Sequence, residues 1–386
     1  MNTKKLRQSN FELLRVLAIC IIIFCHIACH CITDQITSTG VAGGTACEYF
    51  GEQRFYPQLL LIYFILPFGA VGNTIFIMIS GYFSVKKGSS LNLAKITKRL
   101  LFEVCYAAVL LVVGSTLLYR YFKAVGSGAV NLLQIHILTS MAWFVGYYFL
   151  IMLTAKLFLN KYLCNLEKKK YQAFLMIALA VVLFGFTGRM VDSLATGLRT
   201  YGVGVFIYAL GGYVQKYDPF EKIRVWALAA LLLAANALIL ITGYNAVKQR
   251  VESGGATFAQ PFPGYENYSL VTVVLGVVVF ELFKRLKMPN LRVINFCGGS
   301  TLVIYLLHDN SLFYSLWAKI NWPKYLYLQP ARFVLLLAAV ALATFAVGVL
   351  AYVLYLGLGK LFKRCSWLFL KKQPSMPAVE SDTANS

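Results

Sequence analysis

Charge is scarce in this chain. Only 13% of its 386 residues are charged, and 15 acidic residues face 36 lysines and arginines. Soluble domains carry about 25% charged residues, so the length does not denote two or three of them. Hydrophobic residues make up 59% and mean hydropathy is +0.68. The apolar runs lack the alternation of a membrane barrel strand, which excludes a β-barrel. No small-residue cleavage pattern follows the first run, which excludes a cleavable signal peptide. No internal repeat of fixed period occurs. What remains is an all-α chain, a single polytopic membrane domain with no room for a separate globular one.

The net charge of +21 would suggest nucleic acid in a soluble protein. Here the basic residues sit in short loops between apolar runs. Their expected partner is the lipid bilayer, not nucleic acid.

Runs long enough to span a bilayer fall at about 11–30, 59–83, 100–119, 141–159, 172–188, 198–215, 225–242, 268–284, 299–317 and 333–358. They predict about ten transmembrane helices. One alternating set of loops, taken with Arg15, holds 26 of the 36 basic residues and the opposite set holds 10. The richer set is expected in the cytoplasm, which places both termini there. The expected organisation is a cytoplasmic N-terminus at 1–9, a membrane domain at 10–365, and a disordered cytoplasmic tail at 366–386. The outer loops 31–58 and 243–267 are long and polar enough to meet an extracytoplasmic acceptor.

The nine cysteines do not form a disulfide framework. Cys20, Cys25, Cys105 and Cys297 fall in or beside spans and read as small apolar groups. Cys29, Cys31 and Cys47 lie on the outer side, where a disulfide is open but unassigned. Cys25, His26, Cys29, His30 and Cys31 superficially resemble a metal cluster. Only i,i+4 pairs of one helix share a face, so this run alone makes a poor tetrahedral site and no metal is expected.

The sharpest signal lies in the first run, where Arg15 and His26 interrupt "NFELLRVLAICIIIFCHIACH". Eleven residues return the chain to nearly the same helix face, and the two lie about 16 Å apart along the axis. Ionisable side chains in a span are costly and mark function by default. Neutral His26 can take a proton from an attacking hydroxyl. Arg15 can hold phosphate in bidentate fashion, or snorkel to headgroups. Glu12, one turn earlier, can set its rotamer. In "GGSTLVIYLLHDN" Tyr305 and His308 share a face, and His308, Asp309 and Asn310 are polar residues inside an apolar run. Trp143 and Tyr147 share a face at i,i+4, either as an interfacial belt or as a platform for a sugar ring. "GNTIFIMISGYF" reads as a close-packing segment with a small polar notch at Ser80.

These motifs, in this order, resemble the acyltransferase-3 family of integral membrane acyltransferases over residues 10 to about 360. The resemblance rests on "FELLR" with His26 following, then "ISGYF", "WFVGYYFLI" and "STLVIYLLHDN". It implies transfer of an acyl group, usually acetyl, from cytoplasmic acetyl-CoA or another acyl-CoA. The implied acceptor is a hydroxyl of a cell-surface glycan or lipid-linked oligosaccharide, and the implied setting is a bacterial inner membrane. It implies required roles for Arg15 and His26, with His308 as the late histidine of the catalytic set. Glu12 and Arg99 are implied at the acyl-CoA, with neighbouring Lys98. Asp34, Trp143, Tyr147 and Tyr305 are the candidate acceptor-side residues, and the sequence leaves open whether Asp34 assists His26. No fused hydrolase-like domain follows the tenth run, so a stand-alone member is expected. A transporter or flippase of a glycan or lipid precursor also fits ten helices with few buried polar residues. So does a membrane-embedded binding protein, which leaves the Arg15–His26 placement unexplained.

Overall fold

A computed structural model describes residues 7–37, 56–118, 143–182, 197–252 and 268–371. Much of both long outer loops, Cys47 and most of the tail lie outside them. Apolar backbone without water must satisfy its own hydrogen bonds, and the described residues do so with helices and no strand. In chain order these are α1 (Ser9–Ile27), α2 (Thr33–Thr37), α3 (Tyr56–Ile65), α4 (Phe68–Ser84), α5 (Leu93–Leu117), α6 (Trp143–Thr154), α7 (Asn160–Asn165), α8 (Lys168–Val182) and α9 (Leu198–Tyr217). Then follow α10 (Val225–Glu252), α11 (Leu270–Arg285), α12 (Arg292–His308), α13 (Ser311–Trp317), α14 (Trp322–Leu328) and α15 (Pro330–Lys371). Six stretches among the described residues are long and apolar enough to cross a membrane. The remaining expected spans coincide with α8, α9, α11 and α12, which are shorter or less apolar.

The first span sits in the middle. Leu14, Ala18, Ile19, Ile23 and Ile27 of α1 are fully buried, and α1 packs against α4, α11, α12 and α15. Outer helices show the opposite pattern, with Leu233 of α10 and Leu335 of α15 about 70% exposed. An exterior of large aliphatic side chains suits lipid, and the protein is a membrane protein.

Three of the expected runs are interrupted or extended for an identifiable local chemical reason. The second run breaks at Leu66–Pro67, because Pro67 has no N–H to continue the helix. The ninth, expected unbroken over 299–317, stops at His308. Asp309 leaves helical geometry, and the Asn310 side chain accepts from the amides of Leu312 and Phe313 at 2.9 and 3.3 Å, starting α13. The first run continues past His30 through a π-helical turn at Ala28–Ile32 into α2. Thr33 donates to the carbonyls of Cys29 and Ala28 at 2.6 and 3.1 Å, tying that wider turn together. Asp34 is therefore helical, not part of a loop, and α10 likewise carries helix on to Glu252.

Candidate active site

At one end of α1 the structure builds a basic cavity. Arg15 Nη1 lies 3.0 and 3.2 Å from the two carboxylate oxygens of Glu12, and Arg7 lies 3.9 Å from the same carboxylate. Glu12 is buried, and it fits because Gly298 opposite has no side chain. Arg99 enters from α5, its Nε donating to Glu103 at 2.7 Å. Arg7, Arg15 and Arg99 together line a cavity of about 200 Å³ that reaches inward past Ser80 and Phe76. Three guanidiniums around two carboxylates leave a site that favours an anion. Lys98 is not brought to it. Its ammonium lies 5.9 Å from the Phe102 ring centroid on the same helix, because residues 98 and 99 point about 100° apart.

At the other end a second cavity of about 1000 Å³ opens, and His26 lines it. His30 and Asp34, at successive i+4 positions, line it too. Two such steps drift by about 80° in a regular helix, and the wider π turn takes up part of that drift. Trp143 and Tyr147 of α6 form another part of the wall, with ring centroids 6.1 Å apart. The Tyr147 and Tyr268 hydroxyls are 3.4 Å apart.

The helix break between α12 and α13 brings a carboxylate close to His26. Asp309 sits at that break, buried, with one carboxylate oxygen 3.6 Å from His26 Nδ1. Tyr305 donates to its other oxygen at 2.6 Å, and Tyr314 donates to the oxygen facing His26. His26 Nδ1 is buried with no hydrogen bond, so a small ring rotation would bring it onto Asp309. A proton on Nδ1 facing Asp309 leaves Nε2 with the free lone pair of a general base. The Asp309 carboxylate would then stabilise the imidazolium that forms. His308 lies beside His26 with ring centroids 5.1 Å apart, and one ring nitrogen is bonded to the Ile304 carbonyl at 2.8 Å. Among the described residues His308 does not line either cavity.

Two points differ from the sequence reading. Asp309, which the sequence reading did not place at His26, lies with a carboxylate oxygen 3.6 Å from His26 Nδ1. Its signal was present as a costly polar triplet in an apolar run, but sequence alone did not rank it above its neighbour His308. Tyr305 serves mainly as the donor that holds Asp309, although its ring also borders the basic cavity. His26, His30 and Asp309 offer ligand atoms within 4.8 Å of one another. Both Asp309 oxygens also accept tyrosine hydroxyls. Cys20, Cys25, Cys29, Cys31, Cys105, Cys164 and Cys297 are free thiols.

Comparisons with curated proteins and with solved structures return no match. The acyltransferase-3 family model, described as an acyltransferase domain, matches residues 8–354, a span that holds the His26–Asp309 pair and the lining of both cavities except Arg7. The chain belongs to the acyltransferase-3 family and is a membrane acyltransferase.

Proposed function

We propose that the protein transfers an acyl group, acetyl in the first instance, from cytoplasmic acyl-CoA to a hydroxyl of an extracytoplasmic or lipid-linked cell-surface glycan. The observation that carries this reading is the pair of cavities at opposite ends of one helix, basic and narrow at Arg15, wide and aromatic at His26. The phosphates of the donor fit the Arg7, Arg15 and Arg99 cavity. Its extended thioester arm then runs along α1 toward His26, about 16 Å away. A sugar fits the wider cavity, where Trp143 and Tyr147 offer ring faces and Asp34 accepts hydroxyl hydrogen bonds. The basic cavity faces the cytoplasm in this reading, in line with the loop charges, and the membrane is a bacterial inner membrane.

The reaction balances without a metal. His26 Nε2 takes the proton of the acceptor hydroxyl as its oxygen bonds to the thioester carbonyl carbon. The tetrahedral oxyanion collapses, the carbon–sulfur bond breaks, and the CoA thiolate takes the proton back from His26. Direct attack by His26, with a transient acyl-imidazole, uses the same geometry.

The test feeds radiolabelled acetyl-CoA and total host membrane glycan to membranes carrying wild type, His26→Ala or Arg15→Ala, and counts alkali-labile label. Wild type should label the glycan and His26→Ala should not. Arg15→Ala should raise KM for acetyl-CoA about 10–100-fold, because a charge-assisted hydrogen bond contributes about 1.5–3 kcal/mol. A wild type that neither labels glycan nor releases CoA, beside a working control enzyme, overturns the reading and brings the flippase to the front.

A further inference from the structure

α4 is apolar except for a few side chains, and only one of them bridges the two cavities. Along its central turns Asn73, Phe76 and Ser80 keep partial exposure while Val71, Gly72, Thr74, Ile75 and Ile77 to Ile79 are buried. The spacing 73, 76, 80 is one helix face, and that face lines the basic cavity. Toward the other end the same helix presents Gly69, Ala70 and again Asn73 to the His26 cavity. Among the described residues Asn73 is the one side chain common to both cavities. It therefore stands where the donor's reactive end and the acceptor have to meet.

Its hydrogen bonding sets it apart from its neighbours. Thr74 donates to the Ala70 carbonyl at 2.8 Å, and Ser80 donates to the Phe76 carbonyl at 2.9 Å. Each is satisfied within its own helix, as hydroxyls in apolar helices commonly are. The Asn73 carboxamide makes no hydrogen bond to the protein among the described residues. The carboxamide borders open cavity space on both sides, where a bound group can take the hydrogen bonds it does not make within the protein.

We propose that Asn73 is a catalytic residue of the acyl transfer, its side-chain N–H donating to the thioester carbonyl oxygen as that oxygen becomes an oxyanion. This rests on the proposed transferase reading. The acceptor oxygen adds to the carbonyl carbon while His26 takes its proton. Negative charge then gathers on the former carbonyl oxygen, and the carboxamide stabilises it until the carbon–sulfur bond breaks and CoA leaves as the thiol. Tyr305, Ser80 and Thr301, which also line the basic cavity, donate to Asp309, the Phe76 carbonyl and the Gly298 carbonyl, and of the cavity's polar side chains Asn73 is the one that also borders the His26 cavity. Preorganised donors of this kind act most strongly where water is excluded.

The experiment uses the full chain in lipid nanodiscs with radiolabelled acetyl-CoA and host membrane glycan, comparing wild type, Asn73→Ala and Asn73→Asp. Removing one oxyanion donor lowers kcat by about 10²–10³-fold, and KM for acetyl-CoA should stay within about threefold. Asn73→Ala should melt at or above the wild-type temperature, because it removes an unpaired polar group. A structural role for Asn73 would lower that temperature instead. Asn73→Asp keeps the shape and loses the donor, so it should be as slow as Asn73→Ala. Wild-type kcat in either variant overturns the assignment, as does a loss confined to KM or explained by unfolding. Silence of the wild type overturns the transferase reading itself, an outcome distinct from an active wild type with active Asn73 variants.

Discussion

His26→Ala lowers label transfer by about 10²–10⁴-fold, the range expected when a positioned general base is lost. Acyl-CoA binding at the Arg15 end stays intact, since the two residues lie about 16 Å apart. Asp309→Asn should lower transfer by about 10²-fold without removing any atom of the base. The substitution keeps the shape of the side chain: one of the two tyrosine hydroxyls can still donate to the amide oxygen, and the other can accept from the amide nitrogen. What disappears is the negative charge 3.6 Å from His26 Nδ1, and with it the stabilisation of the imidazolium. Tyr314→Phe is milder, about tenfold, because Tyr305 still holds the carboxylate at 2.6 Å. Rates are read with acetyl-CoA and host glycan, and bound CoA is measured separately in each variant. A wild-type rate in Asp309→Asn would remove Asp309 from the mechanism. A variant that fails to bind CoA would place the defect in folding, not in chemistry.

The first helix was legible because its signal is local. Arg15 and His26 lie on one face by spacing alone, and an apolar run makes both costly, so residue type and period suffice. The helical class was legible for the same reason, from run length and composition. Which groups meet across helices was not. In one dimension Asp309 is only one of three polar residues in an apolar run, and its approach to His26 depends on where α12 stops. That stop is set by Asn310, whose side chain caps α13 by accepting from two amides. The π turn after His26 is likewise invisible to a fixed 100° period, although it steers Asp34 to the cavity wall. Lys98 and Arg99 look interchangeable as charges, yet only Arg99 lines the basic cavity. Asn73 was read as part of a packing segment, because its lack of a partner exists only once its neighbours are placed.

The broken helix bears on how acceptor and base meet. Irregular backbone at membrane depth survives only where it is buried in protein or lines a cavity. Asp309 and Asn310 do both. They are buried by neighbouring side chains and border the His26 cavity. The break gives up regular helix hydrogen bonding to place a carboxylate where a continuous helix would have placed a carbonyl-bonded turn. In a transporter such a break would be expected to move with the substrate. Here two tyrosines and a cap hold it in place, which suits a fixed catalytic group.

The second large effect is expected far from the proton chemistry, where α4 meets α9. A Cβ built on Gly81 would overlap the Tyr208 carbonyl, and one built on Gly211 would meet the Met78 carbonyl and lie 2.9 Å from the Tyr82 amide. These obstacles are backbone atoms, so no rotamer change relieves them. The two helices would have to separate. Gly81→Ala should therefore cost about 1–3 kcal/mol, the usual penalty of overpacking, and Gly81→Leu should prevent recovery of folded protein. Gly357→Ala is the matched control, since a Cβ there meets nothing within 4 Å. Separation would also act on catalysis, because α4 carries Asn73, Phe76 and Ser80 along the donor path. A shift of its axis by a fraction of an ångström displaces the amide from the carbonyl it must meet, and misplacement by about 1 Å can cost about 10²-fold in rate. Gly81→Ala should thus lose activity beyond what its fraction of folded protein explains, with thermal unfolding in nanodiscs supplying that fraction. Equal melting temperatures for Gly81→Ala and Gly357→Ala would mean that the α4–α9 contact is looser than its glycines require.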